Sequence, residues 1–350
     1  MFKASDLLPQ NPVIWDLYTR KEEYSSLKRD KHDKFIYSYG TYQDILDPAV
    51  SKFLIQNGIT YSYPDNKLFA VCLTHDVDEI YPPREHMILS SLTCLENMDF
   101  SELKRQIFWK IGGKEKSPYR SFKKILDLEE KYGACSSFYF LATSSDILRF
   151  RYDIEDLEDE LRMITERGWE VGLHGGYYAF NNLEEILQEK RRLEQVAGHQ
   201  VSGYRNHYLR FHVPDSWELL KKAGFRYDTT LGYNEMAGFR NGMCHPFRPF
   251  NLRTGNEIDI IEIPLAVMDS TLFDSARSYD EIWAVVKRVI DTVISCKGVL
   301  CLNWHNDIFN CPYKNIREIM YEKILHYCDS REAWMTSGEN ICTWWEKNEY

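Results

Sequence analysis

The sequence predicts a parallel α/β fold in which strands and helices alternate and the strands curl into a closed or nearly closed barrel. Seven short apolar runs after about Leu68 lack polar alternation, as strands buried on both faces do. Helical patterns separate these runs, and residues 282–294 give the clearest period of 3.6 residues. The predicted strands are residues 69–74, 136–141, 169–173, 201–204, 225–228, 259–264 and 298–303.

Three segments are expected along the chain. Residues 1–66 do not follow the alternation and are predicted to form an extension packed on the barrel, with one helix that starts after Pro48 and stops at Gly58. Residues 67–329 form the barrel itself. Residues 330–350 carry three Trp and are predicted to dock on it.

Composition excludes several classes of protein. The chain is 44% hydrophobic and 27% charged, as ordinary globular proteins are, and its net charge of −10 disfavours binding to nucleic acid or to an anionic membrane. No apolar stretch is long enough for a membrane span, and no apolar signal segment follows the N-terminal residues. The nine Cys form no C-x-x-C pair, which indicates reduced thiols and a cytoplasmic protein. The oligomeric state stays open.

Polar side chains follow five of the predicted strands, at the barrel end where functional residues gather. The first strand ends in a D-x-D pattern, and alternation along an extended segment places Asp76 and Asp78 on the same side. The other polar strand ends are His174, residues 205–208 (Arg-Asn-His-Tyr), Asp228 and residues 303–307 (Asn-Trp-His-Asn-Asp). We expect these side chains to converge on one barrel mouth.

These residue types fit hydrolysis assisted by a metal ion. Two neighbouring carboxylates push their pKa values apart, so that one can bind a metal while the other acts as a base. Imidazoles bind zinc, and a further imidazole can serve as a general acid. An arginine beside the base would keep it ionised and oriented.

The order of these motifs resembles the NodB-homology polysaccharide deacetylases, carbohydrate esterase family 4, over about residues 68–310. The resemblance implies a distorted (β/α)7 barrel, a divalent metal such as zinc, and hydrolysis of an N-acetyl group on an amino sugar of a carbohydrate substrate. It assigns Asp76 as the base, and Asp78 and His174 as metal ligands. The second motif of the family carries another His four residues later, where this chain has Tyr178.

The remaining motifs supply further roles by the same resemblance. In the third motif, Arg205 positions the base and the backbone N–H of Tyr208 helps to form an oxyanion hole. His207 replaces the usual proline and shares the strand side of Arg205, so it is our candidate for the missing ligand, with a structural hydrogen bond as the alternative. In the last motif, His305 is the general acid. Asp228 sits where the fourth motif supplies a carboxylate that could orient one of these groups, whereas Glu262 in the sixth strand is equally compatible with a structural role.

Aromatic residues make up 14% of the chain, and some of them are expected to stack against sugar rings at the strand ends. The predicted substrate-binding residues are Tyr178, Tyr204, Tyr233 and Trp304. Two arginines in the loop 229–249, Arg240 and Arg248, could meet an anionic substrate or form ordinary salt bridges.

Two other functions remain open at this stage. The same barrel could hydrolyse a different amide, such as a formamide or a cyclic amide. Metal content and activity on a panel of amide substrates would distinguish this function from deacetylation. A degenerate barrel could also bind glycans without turnover. The joint presence of Asp76, Asp78, His174, Arg205 and His305 argues against that, because a pure binding protein does not need this set.

Overall fold

The computed structural model describes residues 4–146, 151–274 and 278–348. The strands in these ranges are β1 (Phe69–Val77), β2 (Ser137–Leu141), β3 (Glu170–Gly175), β4 (Gly203–Asn206), β5 (Tyr227–Asp228), β6 (Phe250–Asn251), β7 (Asn256–Glu257), β8 (Ile261–Glu262), β9 (Leu265–Met268), β10 (Val299–Asn303) and β11 (Ala333–Thr336). The main sheet has the order β8-β5-β4-β3-β2-β1-β10-β9, and every pairing within it is parallel. A separate antiparallel pair joins β6 to β7.

The main sheet curls into a barrel that hydrogen bonds do not close. Strands β8 and β9 lie at opposite ends of the strand order, yet only Ile263 and Pro264 separate them in the chain. The three residue steps from Glu262 to Leu265 span no more than about 11 Å, so the two edges of the sheet must lie close to each other. This confirms the predicted distorted barrel. Strand β8 lies within the strand expected at 259–264, and β9 follows it as a strand that the sequence analysis did not predict.

Helices cover the outer face of the sheet, and the barrel interior buries its other face. They are α1 (Ala4–Leu7), α2 (Pro12–Tyr18), α3 (Lys21–Ser25), α4 (Ala49–Gln56), α5 (Arg84–Glu96), α6 (Phe100–Gly112), α7 (Phe122–Glu130), α8 (Glu158–Glu166), α9 (Leu183–Ala197), α10 (Asp215–Lys222), α11 (Asp269–Phe273), α12 (Tyr279–Ser295), α13 (Asn315–Asp329) and α14 (Gly338–Asn348). All nine residues of β1 are buried, which explains why its sequence shows no polar alternation. The helix with the clearest periodicity, α12, buries its apolar stripe as predicted.

The N-terminal segment packs on the barrel through buried charges. Helix α4 follows Pro48, and the backbone N–H of Val50 donates to the carbonyl of Gly242 at 3.0 Å. Nearby, the Glu23 carboxylate lies between the guanidinium groups of Arg20 and Arg240, at 2.7 Å from each. Burial alone would raise the pKa of Glu23, but the two arginines hold it below its usual value. The carboxylate therefore stays charged and ties the segment to the barrel.

The C-terminal segment contributes a strand as well as a helix. Strand β11 pairs in parallel with β1, where Phe69 is the register partner of Ala333, and α14 follows it. Trp344 in α14 is buried and donates from its Nε1 to the carbonyl of Ser62 at 3.0 Å. This segment extends the sheet as well as docking on it.

Two further features concern the surroundings of the protein. Over the described residues, no helix has the length and apolar character required to cross a lipid bilayer. All nine cysteines are free thiols, and eight of them are buried.

Candidate metal and catalytic site

Most of the predicted strand-end Asp and His residues meet in one pocket at the carboxyl ends of the strands. Parallel pairing sets His174 on β3 beside Arg205 on β4. Asp76 lies near the end of β1, and Asp78 directly follows that strand. The pocket has a volume of about 220 Å³. Its lining includes Asp76, Asp78, Arg151, His174, His207, Tyr208 and His305.

Three of these side chains form a cluster that suits a metal ion. Asp78, His174 and His207 each offer one ligand atom, and these atoms lie within 4.8 Å of one another. His174 Nε2 is 3.1 Å from Asp78 Oδ1, and His207 Nε2 is 3.5 Å from Asp78 Oδ2. His174 Nδ1 faces the carbonyl of Arg205 at 3.0 Å, which turns Nε2 toward the cluster. His207 thus points toward the other two residues, as a third ligand must.

The carboxylate of Asp78 is kept ionised within this cluster. Burial would raise its pKa, but the imidazoles of His207 and His174 hold that pKa well below the usual range. Behind His207, the carboxylate of Asp146 lies 3.8 Å from Nδ1. Asp146 also binds Arg151 at 2.6 Å. Sequence reasoning did not select Asp146 or Arg151, because they follow no predicted strand.

Asp76 lies beside the cluster and is held by two donors. Arg205 Nη1 donates to Asp76 Oδ1 at 3.0 Å, and Asn303 Nδ2 donates to Asp76 Oδ2 at 2.7 Å. Arg205 is fully buried and is itself fixed by Thr74 Oγ1 at 2.6 Å and by the carbonyl of Thr229 at 3.1 Å. Burial would raise the pKa of Asp76, but Arg205 and then His174 lower it. Asp76 is therefore an oriented carboxylate that stays charged at neutral pH.

His305 approaches the cluster from the opposite side and is paired with a carboxylate that the sequence analysis missed. His305 Nδ1 lies 2.6 Å from Asp269 Oδ1, and His305 Nε2 lies 3.8 Å from Asp78 Oδ2. Burial would lower the pKa of His305, yet the carboxylate of Asp269 raises it to about 10. Asp269 directly follows β9, so a strand prediction for residues 265–268 would have drawn attention to it.

Tyr208 lines the pocket with an unusual backbone. Its φ is 61°, and the next residue, Leu209, has a φ of 49°. Two consecutive residues other than glycine in the left-handed region are uncommon, and such strain is often found at functional sites. The strained turn directly follows His207 and fixes the direction in which the chain leaves the site.

Most of the predicted sugar-stacking residues are core residues. Tyr204 is buried, and its hydroxyl donates to Asn206 Oδ1 at 2.5 Å. Trp304 is buried and donates from Nε1 to the carbonyl of Arg317 at 3.1 Å. Each lies next to a residue that faces the site, and alternation along a strand therefore turns its own side chain away from the pocket. The stacking prediction was wrong for these two residues.

The other two aromatic predictions have different outcomes. Tyr233 is nearly buried and accepts a hydrogen bond from Arg20 Nη2 at 3.1 Å, so it belongs to the contact between the N-terminal segment and the barrel. Tyr178 is 52% exposed. Its ring lies 5.2 Å from that of Tyr177, which in turn lies 5.5 Å from Tyr208 at the pocket. Tyr178 alone of the four keeps an open aromatic surface near the site.

The remaining candidate residues lie away from the pocket lining. Asp228 and Glu262 are register partners on β5 and β8, and Glu262 accepts from Trp217 Nε1 at 2.8 Å. Burial and then Asp228 raise the pKa of Glu262 well above its usual value, which favours a protonated Glu262 in the core. The carboxylate that contacts His305 is Asp269.

The two loop arginines are engaged within the protein. Arg240 is buried against Glu23, and Arg248 pairs with Asp259 at 2.5 Å. The structure thus favours ordinary salt bridges over contact with an anionic substrate.

Comparison with known proteins agrees with this architecture. No family model matches the chain. A peptidoglycan deacetylase of Helicobacter pylori (strain ATCC 700392 / 26695) is 28% identical over 127 residues, which are 34% of this chain and 39% of that protein. The chain thus spans about two fifths of the relative that it matches.

Solved structures share the fold at low sequence identity. A protein described as a polysaccharide deacetylase from Mycobacterium smegmatis superposes with a TM-score of 0.54 and 18% identity, covering 81% of this chain and 92% of that one. Puue allantoinase superposes with a TM-score of 0.56 and 16% identity, covering 90% and 97%. The chain therefore shares the barrel fold of these proteins, and the predicted similarity to polysaccharide deacetylases is confirmed by the Helicobacter pylori relative and by this shared fold.

Proposed function

We propose that this protein is a metal-dependent hydrolase that removes an N-acetyl group from an amino sugar in a carbohydrate. The observation that carries the proposal is the arrangement of the pocket. A three-residue ligand cluster lies between an oriented carboxylate, Asp76, and a protonated imidazole, His305. The similarity to a peptidoglycan deacetylase supports this choice of substrate class.

The side chains of the cluster fit a divalent metal. Two imidazoles and one carboxylate are ligands that zinc accepts, and three protein ligands leave a position open for water or substrate. Asp78 Oδ1 is buried and lacks a hydrogen bond of good geometry, as expected of an atom built to hold a cation. Asp78, His174 and His207 would hold the ion, which when bound supplies Lewis-acid polarisation of the acyl carbonyl and of water.

The other residues of the pocket divide the proton transfers between them. Asp76 is ionised and fixed by Arg205 and Asn303, so it can accept the proton of an attacking water. His305 carries a proton and faces the cluster with Nε2, so it can donate to the leaving amine. Tyr208 would donate its backbone N–H to the developing oxyanion. The exposed ring of Tyr178 is the remaining candidate for stacking on a sugar.

A pair of aspartate variants tests these roles. Asp76→Asn keeps the shape and can still accept from Arg205, so it should retain the metal while acetate release from N-acetylglucosamine oligomers falls by roughly 10²-fold or more. Asp78→Asn should lose both the metal and the activity. Deacetylation by Asp76→Asn at the rate of the unmodified protein would show that Asp76 is not the base.

The same assay separates the alternative functions. The unmodified protein should release acetate from the oligomers and leave allantoin and formamides intact. Turnover of allantoin without acetate release would favour a cyclic-amide hydrolase. Binding of oligomers with metal present and no product would indicate a non-catalytic glycan-binding barrel.

We also propose that the protein acts in the cytoplasm. Nine free cysteines and no disulfide among the described residues suit a reducing compartment. Fractionation of cells of the source organism, with immunodetection of the protein, tests this. Recovery from a secreted or periplasmic fraction would contradict it.

A further inference from the structure

The hairpin of α5 and α6 exposes a large apolar face. It leaves the barrel after Ile80, two residues beyond Asp78, and returns at Ser117, whose hydroxyl donates to the carbonyl of Ile80 at 2.6 Å. We propose that this face is a self-association surface, on which a second copy of the chain docks through the same hairpin. The exposed face consists of Ile88, Leu89, Leu92, Leu95, Met98, Phe100, Ile107, Phe108 and Ile111, between 43% and 82% exposed.

The apolar face lies on the solvent side of both helices, whereas a helix of a monomeric protein turns its apolar face to the core. On α5, the buried residues are Ser90 and Cys94. Residues 88, 92 and 95 recur at helical spacing on the opposite side. On α6, the buried Gln106 donates to Glu102 and to the carbonyl of Asn310, while residues 100, 107 and 111 share an exposed face. Helix α5 therefore buries only small residues, and α6 buries Trp109 beside Gln106, while both helices turn large apolar residues to solvent.

The size of this face matches what a stable dimer buries. Aromatic side chains bury about 150–250 Å² each and aliphatic ones somewhat less, and the nine are on average just over half exposed. The face thus offers roughly 800 Å², whereas the largest apolar patch of a typical monomer is about 300–600 Å². A standard interface buries about 800 Å² on each partner. One copy of the hairpin is sufficient to supply one side of a symmetric contact.

Charge favours a second copy over a lipid surface as the occupant. Residues 84–112 carry four basic and four acidic side chains, so the hairpin is neutral in a chain of net charge −10. Two negatively charged copies of the chain repel each other less when they meet through a neutral surface than through an acidic one. Binding to an anionic membrane surface would instead need an excess of basic residues around the apolar face.

The proposal is tested by the mass of the full-length protein in solution. Light scattering after gel filtration should give twice the 41.5 kDa of the chain at micromolar concentration. Leu92→Glu on α5 and Phe108→Glu on α6 are exposed changes that should leave the circular dichroism spectrum unaltered, and each should weaken association by at least about 100-fold. Leu27→Glu, at a 97% exposed residue outside the hairpin, is the matched control and should remain dimeric.

Three outcomes would overturn the proposal. The first is a monomeric unmodified protein at about 100 μM, a concentration that populates even weak dimers. The second is a folded hairpin variant that dimerises as tightly as the unmodified protein. The third is a monomer that co-sediments with phosphatidylcholine and phosphatidylglycerol vesicles through the hairpin, since a lipid surface would then be the occupant.

Discussion

Replacing Asp269 by Asn removes the carboxylate that fixes His305. In the structure, Asp269 is buried, and its Oδ1 lies 2.6 Å from His305 Nδ1. An Asn side chain has nearly the same shape but no charge, so it removes the largest interaction that raises the pKa of His305 and shifts the ring toward the neutral imidazole. A neutral imidazole is a far weaker proton donor toward a leaving amine. We therefore expect Asp269→Asn to slow turnover without preventing folding.

The size of this effect follows from the hydrogen bond and the lost proton. A hydrogen bond to a charged group contributes about 1.5–3 kcal/mol, and 1.36 kcal/mol in the barrier changes a rate tenfold. Loss of orientation alone thus lowers kcat by about 10- to 150-fold. Loss of the proton adds to this, within the roughly 10²–10⁴-fold that a general acid contributes. We expect kcat to fall about 10²–10³-fold and KM to change by less than about twofold.

The assay is steady-state acetate release from N-acetylglucosamine oligomers by the metal-loaded protein. Asp274→Asn is the matched control, since Asp274 is a nearby surface aspartate that pairs with Arg317 at 3.1 Å. It should keep the kcat of the unmodified protein. If Asp269→Asn keeps the metal, the fold and a normal kcat, then Asp269 does not assist catalysis through His305.

Three other variants test separate parts of the account. His207→Ala should lower metal affinity at least about 100-fold in competition with a chelator, while His212→Ala should bind normally; tight binding by His207→Ala would exclude His207 as a ligand. Arg205→Lys should lower kcat about 10- to 100-fold, because lysine cannot copy the planar fork that holds Asp76; an unchanged kcat would contradict this. Glu23→Gln should reduce the free energy of unfolding in urea by about 3–5 kcal/mol, because it removes the negative charge between two buried arginines, of which Arg20 keeps Glu22 as a partner. Since the pKa of Glu23 is lowered in the fold, its contribution to the free energy of unfolding is present above the usual carboxyl pKa and is lost as the pH falls through the lowered value. Equal stability of Glu23→Gln and the unmodified protein at neutral pH would show that the buried carboxylate does not stabilise the fold.

The fold and half of the site could be predicted because both depend on local patterns. Apolar runs identified the strands, and the rule that parallel strands deliver residues at their carboxyl ends brought together Asp76, His174, Arg205 and His305. The strand parity that His207 shares with Arg205 was enough to select it. These inferences need only the period of a strand and the direction of a sheet.

The features that sequence reasoning missed depend on contacts between distant parts of the chain. Asp269 was missed because the predicted strand ends at residue 264, before the four residues of β9 begin. Tyr204 and Trp304 alternate with residues that face the site, and their rings therefore lie in the core. The salt bridge of Glu23 with Arg240 joins residues 217 positions apart, and no local pattern reveals such a partner.

The central claim is that His207 supplies the ligand missing from the second motif. A crystal structure of the zinc-loaded protein, with anomalous diffraction measured at the zinc edge, tests it directly. We predict a single anomalous peak bound by Asp78, His174 and His207, with zinc–nitrogen distances of about 2.0–2.1 Å. A peak bound by other residues, an absent peak, or a His207 side chain turned away from the ion would contradict the claim.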